Sequence, residues 1–265
     1  MPKYLIYISI IVPSILICLG VVLYLFQEKL IFYPDKLSEK HIFKFNQPFK
    51  EHFINTPDGE KINTLHFTVE NPKGIVFYHH GNAGSLEYWG QRAIDFTKRG
   101  YDVFMYDYRG FGKSTGKIKN EKMLYKDALL IYKFLSKGYK SNQIIFYGIS
   151  LGSGIAVKLA HEIAPKKLIL ETPYFNFYDV SKYHYPYLPN SILLHYQFKT
   201  NKWLPEIQEP IHLIHGTEDE TVPYFMAVEL EKLGAHIDLC TIKNGSHNNL
   251  SSFAKYQEYL NEILN

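Results

Sequence analysis

Short apolar runs alternate with longer amphipathic stretches along most of the chain, and no other feature restricts the fold as strongly. Short runs of this kind are typical of strands that are buried on both faces of a sheet. They are Ile75–His79, Val103–Tyr106, Ile144–Tyr147, Leu168–Leu170, Ile211–Ile214 and Ile237–Ile242. Helices are predicted between them, over residues 86–99, 120–137, 151–164, 223–233 and 250–264. The alternation predicts an α/β fold with a mostly parallel central sheet and helices on both faces.

Two segments outside this rhythm add to the domain. Phe49–Asn55 and Ile62–Val69 flank Thr56–Gly59, where proline and glycine favour a turn, so an antiparallel hairpin is predicted at the start of a domain over 49–265. The stretch Phe177–Trp203 is rich in tyrosine and proline and interrupts the alternation. Two interpretations of it stay open: a small cap over the site, or one helix with an ordinary aromatic surface.

The N-terminal run from Tyr4 to Phe26 contains no charged side chain. A helix needs about 20 apolar residues to cross a bilayer, so residues 1–27 are predicted to form a single-pass transmembrane anchor and residues 28–48 a juxtamembrane linker. A cleaved signal peptide is the alternative, but its apolar region usually has only about 7–15 residues. Lysines lie on both sides of the run, which leaves the membrane side of the domain unassigned.

Composition excludes several classes of function. The net charge is +3 and the basic residues are scattered, whereas nucleic-acid binding usually needs a clustered basic face. The two cysteines, Cys18 and Cys240, have no spacing typical of metal or redox sites. We therefore expect neither a nucleic-acid partner nor a bound metal.

The segment Gly148–Gly152 carries the strongest chemical signal. Its serine, Ser150, lies between the predicted strand Ile144–Tyr147 and the helix that follows. A serine on such a turn exposes its hydroxyl, and flanking glycines let neighbouring backbone pass without a Cβ clash. The start of the helix directs free N–H groups towards the same point. Ser150 is therefore predicted to be a nucleophile.

A serine hydroxyl needs a base to remove its proton, and an acid must orient that base. Among twelve histidines, His247 lies in a polar loop between the last predicted strand and the last helix, downstream of a plausible acid. The loop after Ile211–Ile214 contains three carboxylates, of which Asp219 is the predicted acid and Glu218 the alternative. The chain order serine, acid, histidine is that of one large hydrolase fold.

A tetrahedral intermediate also needs N–H donors at its oxyanion. The residue after the nucleophile, Leu151, is predicted to supply one backbone amide. The second is assigned to Asn82, in the glycine-containing loop His80–Gly84 that follows the third predicted strand.

Five segments in this order resemble the α/β-hydrolase superfamily from about residue 50 to the end, and the chain is especially similar to its membrane-anchored ABHD-type branch. They are His80–Gly84, Asp107–Ser114, Gly148–Gly152, His215–Asp219 and Gly245–Asn248. The resemblance implies an α/β-hydrolase fold. It also implies hydrolysis of esters, thioesters or sometimes amides through an acyl-serine intermediate, without a metal or a cofactor. It further implies that Asp107–Ser114 is mainly a structural loop.

The sequence therefore predicts a serine hydrolase that cleaves esters or thioesters. Its substrate would be a small acyl ester, a lipid or an acylated protein. A peptidase or amidase that uses the same residues remains an alternative. The other is a non-catalytic binding protein, a class that usually lacks a member of the triad, whereas none is missing here.

Overall fold

The computed structural model describes residues 3–265, apart from the side chains of residues 3–6, 8 and 9. The described strands are β1 (Tyr33–Pro34), β2 (Phe49–Asn55), β3 (Lys61–Phe67), β4 (Ile75–His79), β5 (Ala83–Gly84), β6 (Asp102–Tyr106), β7 (Ile144–Ile149), β8 (Lys167–Glu171), β9 (Ile211–Gly216) and β10 (Ile237–Ile242). The described α-helices are α1 (Lys3–Phe26), α2 (Glu28–Ile31), α3 (Leu86–Trp89), α4 (Ile94–Thr97), α5 (Glu121–Leu135), α6 (Leu151–Glu162), α7 (Phe177–His184), α8 (Asn190–Leu193), α9 (Thr200–Trp203), α10 (Phe225–Glu231) and α11 (Ala254–Leu264).

Eight of these strands form one sheet in the order β10-β9-β8-β7-β4-β6-β3-β2. All neighbours from β10 to β6 are parallel, and β3 pairs antiparallel with both β6 and β2. The predicted mostly parallel sheet and its N-terminal hairpin are therefore confirmed. Parallel strands place their carboxyl ends at one edge, so the loops after β4, β7, β9 and β10 converge there.

Each central strand contributes side chains to two separate apolar layers. In β7, Ile144 and Phe146 pack with residues of α5, α6 and α10 on one face of the sheet. Ile145 and Tyr147 lie on the other face with residues of α3, α4 and α11. Since successive side chains of a strand point to opposite faces, a run without polar interruption is what a two-sided core needs. This explains why the apolar runs predicted these strands well.

The stretch predicted as helical over residues 86–99 is helical from Leu86 to Thr97, but it is not one regular α-helix. The structure has α3, a 3₁₀ turn over Gly90–Ala93, and then α4. A Cβ on Gly90 would lie 2.4 Å from the Phe45 ring, so this glycine allows the ring to pack against the backbone. Glycine also weakens a helix by about 1 kcal/mol relative to alanine.

The segment predicted as a linker, residues 28–48, contains regular structure that the sequence did not reveal. It includes α2 and the two-residue strand β1, which pairs in parallel with β5 through Tyr33 opposite Ala83 and Pro34 opposite Gly84. The N-terminal segment is thus joined by backbone hydrogen bonds to the loop that follows β4.

The helix α1 carries many large apolar side chains that are exposed, among them Ile10, Leu16 and Ile17. Within the part of the chain that the structure describes, no helix meets the length and apolarity needed to cross a bilayer. The predicted anchor over residues 1–27 begins outside the described residues, at Met1 and Pro2, and stays a prediction.

The stretch Phe177–Trp203 forms three short helices, α7, α8 and α9, instead of one. Asparagine begins the first of them: the Asn176 side chain accepts a hydrogen bond from the Asp179 N–H at 2.8 Å, which satisfies a free donor of the first turn. This segment lies between β8 and β9 in the chain and reaches the carboxyl edge of the sheet.

Candidate active site

Ser150 occupies a sharp turn between β7 and α6. Its backbone has φ 51° and ψ −118°, a conformation that costs a non-glycine residue about 1–3 kcal/mol. Its N–H donates to the Glu171 carbonyl at the end of β8, 2.9 Å away, and its carbonyl accepts from Ser153 N–H at 2.9 Å. The turn is therefore held from the neighbouring strand and from the helix that it begins.

The two flanking glycines are required by close backbone contacts. A Cβ at Gly152 would lie 2.1 Å from the His79 carbonyl oxygen, and one at Gly148 would lie 2.5 Å from the Gly152 carbonyl oxygen. Both separations are far below any van der Waals contact. Only glycine lets α6 begin this near to β4 and β7, which brings the start of the helix to the edge where Ser150 lies.

The structure brings Ser150, His247 and Asp219 together in one hydrogen-bonded line. The Ser150 hydroxyl and His247 Nε2 are 3.0 Å apart, and His247 Nδ1 and Asp219 Oδ2 are 2.7 Å apart. Because an ionised carboxylate can only accept, Nδ1 carries the proton and Nε2 is free to accept from the serine hydroxyl. This arrangement prepares the hydroxyl for deprotonation.

Asp219 is held ionised by its surroundings. Burial by itself would raise the pKa of Asp219, but hydrogen bonds from His215, His247 and the Val222 N–H together lower it below the usual range. The other carboxylate oxygen accepts from the N–H groups of Thr221 and Val222 at 2.9 and 2.8 Å. The carboxylate is thus fixed in place and charged, as required to orient an imidazole and stabilise its protonated form.

The alternative acid does not reach the histidine. Glu218 is exposed, and its backbone N–H donates to the Gly245 carbonyl at 2.9 Å. Its neighbour Asp219 points inward because the loop turns between them. The predicted acid, Asp219, is therefore the carboxylate that contacts His247, and the alternative, Glu218, is not.

The loop after β4 lies beside Ser150. Asn82 and Leu151 both line the same cavity as Ser150, which is where two oxyanion donors are needed. Asn82 is fastened from the N-terminal segment: its side chain donates to the Ile31 carbonyl at 2.7 Å, and its carbonyl accepts from the Tyr33 N–H at 2.9 Å.

A buried pair supports this loop from below. His80 Nε2 lies 3.5 Å from Asp107 Oδ1, and both side chains are inaccessible to solvent. Burial raises the pKa of Asp107 and lowers the pKa of His80 to about 3. The Tyr108 hydroxyl also donates to the His80 carbonyl at 2.6 Å. These contacts give the segment Asp107–Ser114 a role in holding the loop.

The cavity in front of Ser150 has a volume of about 440 Å³, within the range of small-molecule sites. Its wall is mainly apolar and comes from two segments far apart in the chain. One is the insert, through Phe177, Val180 and Leu188, and the other is the end of α1 together with α2, through Leu23 and Leu30.

Sequence reasoning missed two contributors to the site. His215 lies 3.1 Å from Asp219 Oδ2 and donates to the Val222 carbonyl at 2.8 Å. Its position four residues before Asp219 is the only sequence signal for this support. No sequence pattern indicates that the N-terminal segment forms part of the cavity wall. An apolar helix has the same sequence pattern whether it faces lipid or a cavity.

Known proteins match this chain in sequence and in fold. The family model described as serine aminopeptidase, S33, matches residues 70–193. An uncharacterized protein of Acanthamoeba polyphaga mimivirus is 29% identical over 247 residues, with 84% of each chain covered. The lysophosphatidylserine lipase ABHD12 of Danio rerio is 30% identical over 187 residues, which cover 61% of this chain and 47% of that protein. An esterase of Pyrococcus furiosus superposes with a TM-score of 0.69 at 20% identity, covering 88% of this chain and 97% of that one.

The sheet order and the strand-to-helix turn are those of the α/β-hydrolase fold. Together with the sequence matches, they support an α/β-hydrolase superfamily member with ABHD-type relatives.

Replacing Gly152 with alanine tests the close approach at the turn. The added Cβ would displace either β4 or the start of α6, so we expect a loss of about 1–3 kcal/mol in stability and a larger loss of activity. Gly138→Ala is the matched control, because its Cβ would meet nothing nearer than 3.9 Å. Thermal unfolding and ester hydrolysis measure both effects. Wild-type behaviour of Gly152→Ala would contradict the geometry.

The environment of Asp219 predicts part of the acid sensitivity of the fold. A carboxylate with a lowered folded-state pKa contributes stability above its unfolded pKa of about 3.9, and this is lost as pH falls through the folded pKa. Asp219→Asn should therefore make the stability of the protein less dependent on pH below about pH 4. Urea unfolding across acidic pH measures this, with the exposed Asp238→Asn as control. If the stability of Asp219→Asn fell with decreasing pH as steeply as that of the wild-type protein, this would contradict a charged, buried carboxylate at Asp219.

Proposed function

We propose that this protein hydrolyses carboxylic esters or thioesters through an acyl-serine intermediate, with Ser150, His247 and Asp219 as the catalytic triad. The observation that carries the proposal is the hydrogen-bonded line of these three side chains at the wall of an apolar cavity. The line joins three loops that are distant in sequence and meet at the carboxyl edge of the sheet.

Acylation begins when Ser150 Oγ attacks the acyl carbonyl while its proton passes to His247 Nε2. The imidazolium that forms is stabilised by the ionised Asp219 at Nδ1. The carbonyl oxygen becomes an oxyanion, which accepts hydrogen bonds from the backbone N–H groups of Leu151 and Asn82. His247 then returns the proton to the leaving alcohol or thiol as the bond to the acyl carbon breaks.

Deacylation repeats these steps with water as the nucleophile. His247 Nε2 takes a proton from water, whose oxygen attacks the acyl carbon of the ester on Ser150. Collapse of the second tetrahedral intermediate breaks the bond to Oγ, and the serine recovers its proton from His247. The products are the carboxylic acid and the free enzyme.

The apolar cavity favours a substrate with a hydrocarbon acyl group. Leu23, Leu30, Phe177, Val180 and Leu188 form much of its wall, and burial of a hydrocarbon against them is worth about 0.8 kcal/mol per methylene. The lipase and the esterase among the similar proteins support the same class. We therefore place lipid esters and acylated proteins ahead of small polar esters as substrates.

A peptidase is the second candidate, because the matching family model is described as a serine aminopeptidase. An aminopeptidase must bind a positively charged N-terminus, for which a carboxylate is the natural partner. Among the described residues that line the cavity, none carries a carboxylate. This lining supports an ester or thioester substrate.

Labelling with a fluorophosphonate tests the proposed function. The purified full chain should be labelled and should hydrolyse nitrophenyl acyl esters, and Ser150→Ala should abolish labelling and lower kcat/KM by about 10⁶-fold. Ser136→Ala, an exposed serine, is the control. Aminoacyl nitroanilides offered in parallel distinguish a peptidase. Undiminished labelling of Ser150→Ala would exclude Ser150 as the nucleophile.

The proposal includes a membrane location, through α1 as a single-pass anchor. The support is the uncharged run from Tyr4 to Phe26 and the exposure of Ile10, Leu16 and Ile17, which are 60%, 62% and 67% accessible. An apolar surface of this extent on the described side chains of α1 is unfavourable in water. Insertion into a bilayer would remove that cost.

Alkaline carbonate extraction of membranes from cells that express the full chain tests this location. A spanning anchor should keep the protein in the membrane pellet, because carbonate releases proteins that are only peripherally bound. A control that begins at Gln27 should be released. Full release of the intact chain would contradict the anchor.

A further inference from the structure

The N-terminal segment contributes directly to the cavity in front of Ser150. Leu23 near the end of α1, Gln27 in the short connection, and Leu30 and Ile31 in α2 all line it. The opposite wall comes from α7 and α8. The cavity is therefore a groove between two segments, one of which is continuous with the proposed membrane anchor.

Gln27 fastens these two walls together. It is only 5% exposed. Its Nε2 donates to the Leu193 carbonyl at 3.0 Å, and its Oε1 accepts from the His195 N–H at 2.8 Å. These two backbone partners flank Leu194, so the Gln27 side chain holds both the end of α8 and His195 just beyond it. A second Nε2 contact, to the Tyr24 carbonyl at 3.1 Å, holds the amide on α1 itself.

The same segment is fastened to the loop beside the nucleophile. The Asn82 side chain donates to the Ile31 carbonyl at 2.7 Å, and β1 pairs with β5. Glu28 adds a contact to the segment that follows α8, since its carboxylate accepts from the Tyr196 hydroxyl at 3.2 Å. The segment Leu23–Pro34 thus has fixed positions relative to both the groove and Asn82.

We infer that the segment Leu23–Ile31 is a substrate-binding element that sets acyl-chain specificity, with Gln27 as the residue that positions it. A straight acyl chain esterified to Ser150 extends into the groove between Leu23 and Leu30 on one side and α7 and α8 on the other. This inference rests on the proposed function and adds to it the part of the chain that selects the acyl group. The cavity wall is mainly apolar, with six leucines among its nineteen described lining residues, and none of these nineteen is a carboxylate, a lysine or an arginine. Such a wall suits a hydrocarbon chain better than a charged headgroup.

Leu23 and Leu25 provide a matched pair for the test. Both are leucines of α1, but Leu23 lines the groove, whereas Leu25 is 60% exposed and does not. The full chain in detergent is assayed with nitrophenyl acetate and nitrophenyl palmitate, and the ratio of the two kcat/KM values is compared. Leu23→Trp fills the groove and should lower the palmitate-to-acetate ratio at least tenfold, in line with pocket discrimination among chain lengths. Leu25→Trp should leave the ratio unchanged.

Gln27→Ala tests the positioning role by a second route. Loss of the two contacts to the end of α8 should loosen the groove and flatten the preference across acyl esters from acetate to palmitate. The exposed Gln208→Ala should show the wild-type profile. Fluorophosphonate labelling checks that Ser150 remains reactive in each variant. Leu30→Trp replaces Leu23→Trp if the latter does not fold.

The outcomes separate this inference from the proposed function. Absence of labelling and of acetate hydrolysis in the wild-type protein would overturn the proposed function. Suppose instead that the wild-type protein is labelled and hydrolyses acetate normally. A wild-type palmitate-to-acetate ratio in both Leu23→Trp and Gln27→Ala would then overturn the inference alone. If Leu23→Trp and Leu30→Trp kept the wild-type palmitate-to-acetate ratio while Gln27→Ala lost its chain-length preference, the acyl chain would not contact Leu23 and Leu30.

Discussion

The strained turn at Ser150 is the constraint on which the rest of the site depends. Its positive φ is maintained because β7 is paired on both sides and α6 packs against the same sheet, with glycines where the backbones meet. Once Ser150 is fixed at the carboxyl edge of β7, the loops after β9 and β10 can reach it. Parallel pairing brings those loops to the same edge, although Asp219 and His247 are far from Ser150 in the chain.

Two buried carboxyl groups near this edge differ in their charge. The Asp219 carboxyl is ionised, whereas burial disfavours the anionic form of Asp107. Asp219 keeps its charge, despite burial, through donors from His215, His247 and backbone N–H groups. Asp107 has one backbone donor, from Leu86, and burial raises its pKa. The first can stabilise an imidazolium. The second lies beneath the loop that carries Asn82, where its contacts are structural.

The substrate cavity is a different kind of construction from the triad. The triad needs only the sheet and its loops, whereas the cavity is formed by the insert Phe177–Trp203 and by the N-terminal segment. These two segments lack the alternation of apolar strands and helices that predicts the sheet. They are joined chiefly by the hydrogen bonds of the buried Gln27 side chain. Under the proposed function, the catalytic side chains therefore come from the loops of the sheet, and most of the apolar wall comes from the insert and the N-terminal segment.

The sequence alone determined the long strands of the sheet, the hairpin and the serine at the strand-to-helix turn, because each depends on a local pattern: short apolar runs, a turn signal, and a glycine-flanked serine before a helix. It favoured Asp219 over Glu218, but only the folded loop shows which of these adjacent carboxylates faces His247. It did not reveal the 3₁₀ turn between α3 and α4, and it left residues 28–48 without structure although β1 pairs with β5. Tertiary structure decided these features, because each depends on contacts between residues distant in the chain, and local periodicity carries no information about such partners.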